Sequence, residues 1–311
     1  MTAGAHGVLL VDKPAGVSSH GVVAVARRAL GTRRVGHAGT LDPMATGLLV
    51  LAVGEGLKAM RYLALDDKRY WATLRLGQGT DTLDAQGRVD AEAVVPEGLE
   101  MAEVQRAADS FLGESAQRAP VVSAIKRDGV PLYARVRRGE QVQAPVRHVV
   151  VHSLHVLSVR ADPAEVDLEV ACGKGFYVRA LGRDLAAKLG TVGHLTALRR
   201  TRSGHFDVDD AVPMERLRQA ADGDEAARDA LASALLDLSR SLPSAPVLCL
   251  DARGVEDARH GRPVERDRVE GLLPADSSVE PVILLDAEAR PVALGRVVED
   301  RVQVVRGVHW S

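Results

Sequence analysis

The chain has 311 residues, 46% of them apolar and 26% charged, with a formal net charge of −2 and two cysteines, Cys172 and Cys249. This composition supports a sizeable core, in one large domain or a large and a small one, and excludes a disulfide framework or a zinc ribbon. No apolar run approaches the roughly 18 residues of a membrane span, and Met1–Gly7 lacks a secretory pattern, so a reducing cytoplasm is the expected compartment.

Val8–Val11 reads as a short apolar strand running into the turn Asp12-Lys13-Pro14-Ala15-Gly16. Ser18 or Ser19 caps a helix carrying Val22, Val23, Val25, Ala26, Ala29 and Leu30, and Gly31 ends it. Leu48–Val53 is a buried strand, followed by a helix near Leu57–Leu65. Tyr70, Ala72, Leu74 and Leu76 alternate with Trp71, Thr73 and Arg75, the period of a strand with one buried face. Ala102–Leu112 is helical, and Gln117–Val146 is a Pro-, Gly- and Arg-rich insertion around one short helix. Strands at Val149–Val159 and Glu165–Cys172 precede a helix over Tyr177–Leu189. Helices over Met214–Ala221 and Glu225–Leu238 lead to a boundary at Leu242–Pro246. Beyond it, Val282–Leu285, Val292–Val298 and Val302–Val305 read as strands of a small β-barrel. Strands mixed with helices, without regular βαβ alternation, predict an α+β fold rather than a doubly wound sheet.

Acids cancel bases overall, yet the two are segregated. From Arg118 to Arg147 seven Lys/Arg face only Asp128 and Glu140. Arg27, Arg28, Arg33 and Arg34 form a second basic group and Arg199, Arg200 and Arg202 a third, whereas acids gather from Asp207 to Asp237 and from Asp251 to Glu299. Nucleic-acid binding and ordinary solvated helices both fit that pattern.

The stretch Gly36-His37-Ala38-Gly39-Thr40-Leu41-Asp42-Pro43-Met44-Ala45-Thr46-Gly47-Leu48-Leu49 is a tight loop with one carboxylate on a rigid turn ahead of a buried strand. Such a carboxylate suits a nucleophile or base, or it simply satisfies backbone amides in an Asx turn. The glycines fit neither GxxxxGK[ST] nor GxGxxG, so no nucleotide loop is expected. His148, His152 and His155 fall on one strand-like run. His148 and His152 share a face while His155 points to the other, and no carboxylate or cysteine completes a metal set.

Gly36–Leu49 resembles the GH-x-G-x-LDP-x-ATG-x-L signature of the bacterial tRNA pseudouridine-55 synthases, the TruB family, related to the catalytic subunit of the box H/ACA RNA-guided enzymes. Five further segments fall in family order. Leu10–Ser19 resembles DKP-x-G-x-SS, Lys68–Tyr70 resembles K-x-Y, and Ser123–Lys126 with Gly129 and Tyr133 resembles SA-x-K-x-x-G. Gly173–Arg179 resembles KG-x-Y-x-R, and Leu198-Arg199-Arg200 resembles LRR. The resemblance runs from Gly7 to about Val212. Ala119–Val122 departs from it where an aromatic commonly precedes Ser-Ala, and the last 66 or so residues match loosely.

The resemblance implies a pseudouridine-synthase core of mixed, largely antiparallel sheet with flanking helices over residues 1–242. It also implies a thumb-like insertion at 118–147 and a PUA-like RNA-binding barrel at 246–311. The implied activity isomerises uridine 55 in the T loop of tRNA, without cofactor or metal, in a monomer that needs no obligate protein partner and no membrane. Asp42 would be the nucleophile, Tyr70 would pack on the uracil and assist loss of the C5 proton, and Arg179 would pair with Asp42. His37 would fill the stack left by the flipped base, and Tyr177 and Leu198 would line the pocket. Lys13 would support the loop or nearby phosphates, and Lys126 would contact substrate. A stacked uracil must be extruded before chemistry, and a guanidinium beside Asp42 favours its charged form. Two other readings compete: a non-catalytic RNA-binding protein on the same scaffold, and a sugar-active hydrolase, which lacks a second paired carboxylate. The insertion is expected to clamp RNA from outside the catalytic centre.

Overall fold

A computed structural model describes residues 5–127, 129–271, 273–274 and 279–309. The N-terminal strand β1 (Gly7–Lys13) leads through helix α1 (Ser19–Ala29) and the short strand β2 (Val35–His37) to β3 (Thr46–Val53). Strand β4 (Lys68–Leu76) precedes helix α2 (Met101–Asp109) and β5 (Gly113–Arg118), and the long β6 (Val146–Ala161) and β7 (Ala164–Cys172) follow. Helix α3 (Val178–Lys188), β8 (Gly193–Ser203), β9 (Val212–Pro213) and α4 (Met214–Ala221) complete the larger unit. Its ten-stranded sheet runs β9-β1-β3-β8-β4-β7-β6-β5, with β2 beside β3 and Phe206–Asp207 beside β8. Only β1–β9 and β3–β8 pair in parallel, so the sheet is mixed and largely antiparallel.

The burial pattern explains the order. Leu48 to Val53 are all buried because β3 lies mid-sheet, covered on both faces. In β4 the alternation holds: Ala72, Leu74 and Leu76 enter the core with Leu181 and Leu185 of α3, while Trp71 is 51% exposed on the other face. Ser18 caps α1 by accepting the Gly21 N–H at 3.0 Å. Ser19, the other candidate cap, is buried and serves the site instead.

Three sequence expectations change. The helix near Leu57–Leu65 is a 3₁₀ turn at Gly54–Lys58 followed by four helical residues, Met60–Leu63. The helix from Glu225 stops at Ser233 because Leu236 extends to exchange two 2.8 Å backbone hydrogen bonds with Val8, before a short helix at Leu238–Ser241. In β6 the register shifts between Val151 and Ser153, so Leu154 and Val156 return to the core and His155 is exposed along with His148 and His152. A β-bulge, invisible in a period-2 reading, reverses the face.

The second sheet comprises β10 (Val247–Leu250), β11 (Val264–Glu265), β12 (Val269–Glu270), β13 (Val282–Leu285), β14 (Pro291–Val298) and β15 (Arg301–Gly307). Its order is β11-β15-β14-β13-β10-β12, a nearly closed barrel. Trp310 lies outside the described residues. Ile283, Leu285, Leu294 and Val308 share a core cluster with Val8, Leu10, Leu48 and Val50, so the barrel packs on β1 and β3. Glu55 latches that contact: it is 3% exposed and accepts from Arg34 at 2.8 Å, Lys58 at 2.5 Å and the His309 backbone N–H at 2.9 Å. Burial raises this carboxyl, but the His309 N–H, Lys58 and Arg34 outweigh it and hold it at about 2. A depressed carboxyl stabilises the fold above its unfolded value of about 4.3 and loses that contribution as the pH falls through the folded value. Glu55→Gln should therefore lower stability by about 1–3 kcal/mol at pH 7. The difference from wild type should shrink steadily from pH 5 downward, as measured by denaturant unfolding at each pH.

Candidate active site

Asp42 sits at the turn between β2 and β3, with its side chain 32% exposed toward a cleft of about 240 Å³. The turn does not hold itself. Ser19, at the start of α1, donates its hydroxyl to the Leu41 carbonyl at 2.9 Å and accepts the Leu41 N–H at 2.8 Å. Lys13 donates its ammonium to the Pro14, Val17 and Pro43 carbonyls at 3.0, 2.8 and 3.4 Å. The Gly16 N–H also reaches the Pro43 carbonyl, at 2.8 Å. Three residues of Leu10–Ser19, namely Lys13, Gly16 and Ser19, thus fix the peptides on either side of Asp42.

Lys13 has 0% exposure, which removes it from any phosphate contact and leaves the loop-supporting role. Burial pulls its ammonium down to about 8, the nearby Asp42 opposing and Arg200 reinforcing that shift.

Arg179, in the first turn of α3, meets Asp42 through a two-pronged bridge: Nε to Oδ2 at 2.8 Å and Nη2 to Oδ1 at 3.1 Å. Its side chain is 4% exposed, and the same guanidinium donates to the Thr82 carbonyl at 2.6 Å and the Val122 carbonyl at 3.0 Å. A third carboxylate atom, Asp84 Oδ2, stands 3.6 Å from Nη1. The planar fork is thereby locked in one orientation from three sides, which a flexible ammonium would not achieve. Asp84 is itself pinned by Thr82 Oγ1 at 2.7 Å and the Gln86 N–H at 3.0 Å.

Tyr70 and Lys68 on β4, Cys172 at the end of β7, Tyr177 ahead of α3 and Leu198 on β8 complete the cleft with Ser123, Ala124 and Arg200. Burial raises the Tyr70 phenol, with Arg200 opposing, so it stays protonated through neutral pH. Burial likewise raises the Tyr177 phenol and lifts the Cys172 thiol to about 12, which leaves that thiol unreactive. Tyr177 is oriented through its backbone, since Gln117 accepts its N–H at 3.0 Å and donates to its carbonyl at 3.1 Å.

His37 does not line the cleft. It ends β2, two residues before the lining begins at Gly39, and meets His20 edge-on with ring centroids 5.3 Å apart. Burial lowers its pKa, His20 and Arg200 adding to the effect, so the ring is held neutral. The Lys126 side chain lies outside the described residues.

The insertion is not separate from the centre. It leaves β5 and returns to the adjacent β6, closed by the Ala119 N–H to the Pro145 carbonyl at 3.1 Å. Its base supplies Val122 to Arg179 and Ser123 and Ala124 to the cleft, whereas no residue of the helix Leu132–Arg137 is in the lining. Sequence reasoning also missed Asp84, Gln117, Ser19 as a loop clamp, and Arg200. Asp84 and Gln117 carry no local signal, because their partners are 95 and 60 residues away in the chain. No group of three potential metal ligands occurs among the described residues.

Comparison with known proteins gives the family. Residues 27–178 match the model of the TruB family pseudouridylate synthase N-terminal domain, and residues 179–242 match that of the tRNA pseudouridylate synthase B C-terminal domain. The chain is similar to proteins named tRNA pseudouridine synthase B. That of Mycobacteroides abscessus is 43% identical over 91% of this chain and 92% of the other. That of Syntrophotalea carbinolica is 37% identical over 97% and 95%. In fold the chain resembles a solved Cbf5-Nop10-Gar1 complex, with a TM-score of 0.70 at 24% identity over 98% of this chain and 84% of that one. With relatives of this identity spanning nearly its whole length, the chain belongs to the TruB family of pseudouridylate synthases.

Proposed function

We propose that this pseudouridine synthase acts on tRNA, isomerising uridine 55 of the T loop with Asp42 as nucleophile. One observation carries the assignment: among the described residues a single carboxylate lines the cleft, fixed by the Arg179 fork at 2.8 and 3.1 Å, with Tyr70 and Tyr177 around the same space. The reaction breaks the N1–C1′ bond, turns the base, joins C5 to C1′, and releases the C5 proton while N1 takes one up. It is an internal isomerisation, so atoms and electrons balance without a cofactor. Tyr70 would pack on the uracil, Leu198 lines the same cleft, and His37, outside the lining, would fill the vacated stack.

Residues 1–242 would form the catalytic domain and residues 246–311 a PUA-like module, reading RNA by backbone and shape because aromatic residues are scarce there. The enzyme would work as a monomer in the cytoplasm. Consistent with that, no helix among the described residues is long and apolar enough to cross a membrane.

Tritium release tests the reading. Unmodified tRNA labelled at C5 of uridine should lose one equivalent while its strand stays intact. A transcript with cytidine at position 55 should release none, and release from it would refute the position. An RNA-binding protein without catalysis would release none from either, and a hydrolase would leave an abasic strand.

The outer part of residues 118–147 should behave as a clamp on phosphates. Neutralising Lys126, Arg127, Arg137 and Arg138 together should weaken tRNA binding. It should also flatten the log–log salt dependence, by about 0.7 to 0.9 for each phosphate that is no longer neutralised. Filter binding at several salt concentrations checks this, and an unchanged slope would move the basic surface elsewhere. The chemical step should change less, since the cleft is lined by the base of the insertion and not its tip.

A further inference from the structure

We propose that Arg200 is a positioning residue for the reaction: its guanidinium ties both ends of the loop carrying Asp42 and sets that loop against Tyr70. The proposal rests on the reading of Asp42 as nucleophile.

The topology puts Arg200 between the two strands that adjoin the site. Strand β8 lies between β3, which continues from the Asp42 loop, and β4, which bears Tyr70. Along β8, Arg200 is in register with Gly47 on one side and Tyr70 on the other. Its neighbour Arg199 projects from the opposite face, as strand alternation requires, and forms a two-pronged bridge to Asp12 at 3.0 and 2.9 Å. Adjacent arginines thus have different tasks.

Arg200 is 1% exposed and lines the cleft. Its Nε donates to the Leu48 carbonyl at 2.7 Å and its Nη2 to the Gly39 carbonyl at 3.3 Å. Those two carbonyls bracket the whole of Thr40–Gly47, with Asp42 inside. The approach is too close for a side chain on the facing strand: a Cβ at Gly47 would lie 2.2 Å from the Arg200 carbonyl oxygen, and Gly47 has φ +96. At the other end Gly39 has φ +99, and a Cβ there would lie 3.5 Å from Arg200 Nη1. Gly47 thus lets the loop close against the Arg200 backbone, while the positive φ of Gly39 brings its carbonyl to the guanidinium.

The charge itself needs an explanation. No ion pair to Arg200 is found among the described residues, and an enclosed, unneutralised cation is costly. A neutral donor would tie two carbonyls with a smaller desolvation penalty. The positive charge instead acts on the cleft, where it opposes the upward push that burial gives the Tyr70 phenol.

The test uses the full-length enzyme and measures single-turnover tritium release at saturating tRNA, tRNA affinity and thermal unfolding. Arg200→Lys keeps one positive charge but lacks the span to reach both carbonyls. It should lower the rate by at least about 10-fold, and by up to about 10²-fold, with tRNA affinity within a few-fold, because a misplacement of about 1 Å costs that much. Arg200→Ala leaves a space adjoining the cleft, and added methylguanidinium should restore a measurable part of the lost rate where methylammonium does not. If Arg200→Ala fails to fold, Arg200→Lys decides alone. A wild-type rate for Arg200→Lys overturns the proposal. So does a loss confined to thermal stability, with the rate per folded molecule unchanged. Asp42→Asn run alongside separates the two ideas: if it stays active the nucleophile reading fails, whereas if it is dead and Arg200→Lys keeps the wild-type rate, only the positioning role falls.

Discussion

Asp42→Asn should abolish isomerisation while leaving tRNA affinity within a few-fold. The amide keeps the shape of the carboxylate, and its oxygen still accepts one of the two Arg179 bonds at the Nε or Nη2 position. It is no nucleophile, so the substitution removes the bond-forming atom and little else. The turn should survive, because Ser19, Lys13 and Gly16 hold the backbone of Leu41 and Pro43 and not the Asp42 side chain. Single-turnover tritium release measures the loss directly. Residual turnover above about one per cent of wild type would take Asp42 out of the nucleophile role.

The second large effect is expected at Arg179→Lys. The substitution keeps the charge and loses the fork. Four bonds converge on the guanidinium, two from Asp42 and one each from the Thr82 and Val122 carbonyls, and an ammonium with three donors cannot reproduce their directions. Asp42 would then lose its fixed orientation, and Asp84, 5% exposed, would face a weaker counter-charge. The chemical step should slow by about 10² to 10³-fold, the range for removal of one well-placed charge-stabilising donor. Affinity for tRNA should change little, because the guanidinium is 4% exposed and turned into the protein. A large loss of affinity with an unchanged rate at saturation would instead make Arg179 a binding residue.

Much of this molecule is legible in one dimension, and the reason is physical. Where the determinant is local, the sequence suffices: the β4 alternation, a serine cap at Ser18 or Ser19, and the loop whose Gly39, Gly47 and Pro43 permit only a few backbone paths. The motif resemblance adds the reaction class, since it repeats the spacing of those local constraints. Tertiary structure alone decided how they meet. Arg179 reaches Asp42 across 137 residues and Asp84 across 95, and Arg200 reaches Gly39 across 161. None of these separations leaves a period or a composition to read. The bulge in β6 turned His155 outward, and strand pairing at Val8 ended a helix that propensity would have continued to Leu238. The insertion reads from its charges as a detached clamp, yet β5 and β6 are neighbours, so its base is carried into the cleft. Local chemistry sets which groups are available. The pairing of distant strands sets which of them share a buried space, and there a charge must find its partner or act on a neighbour.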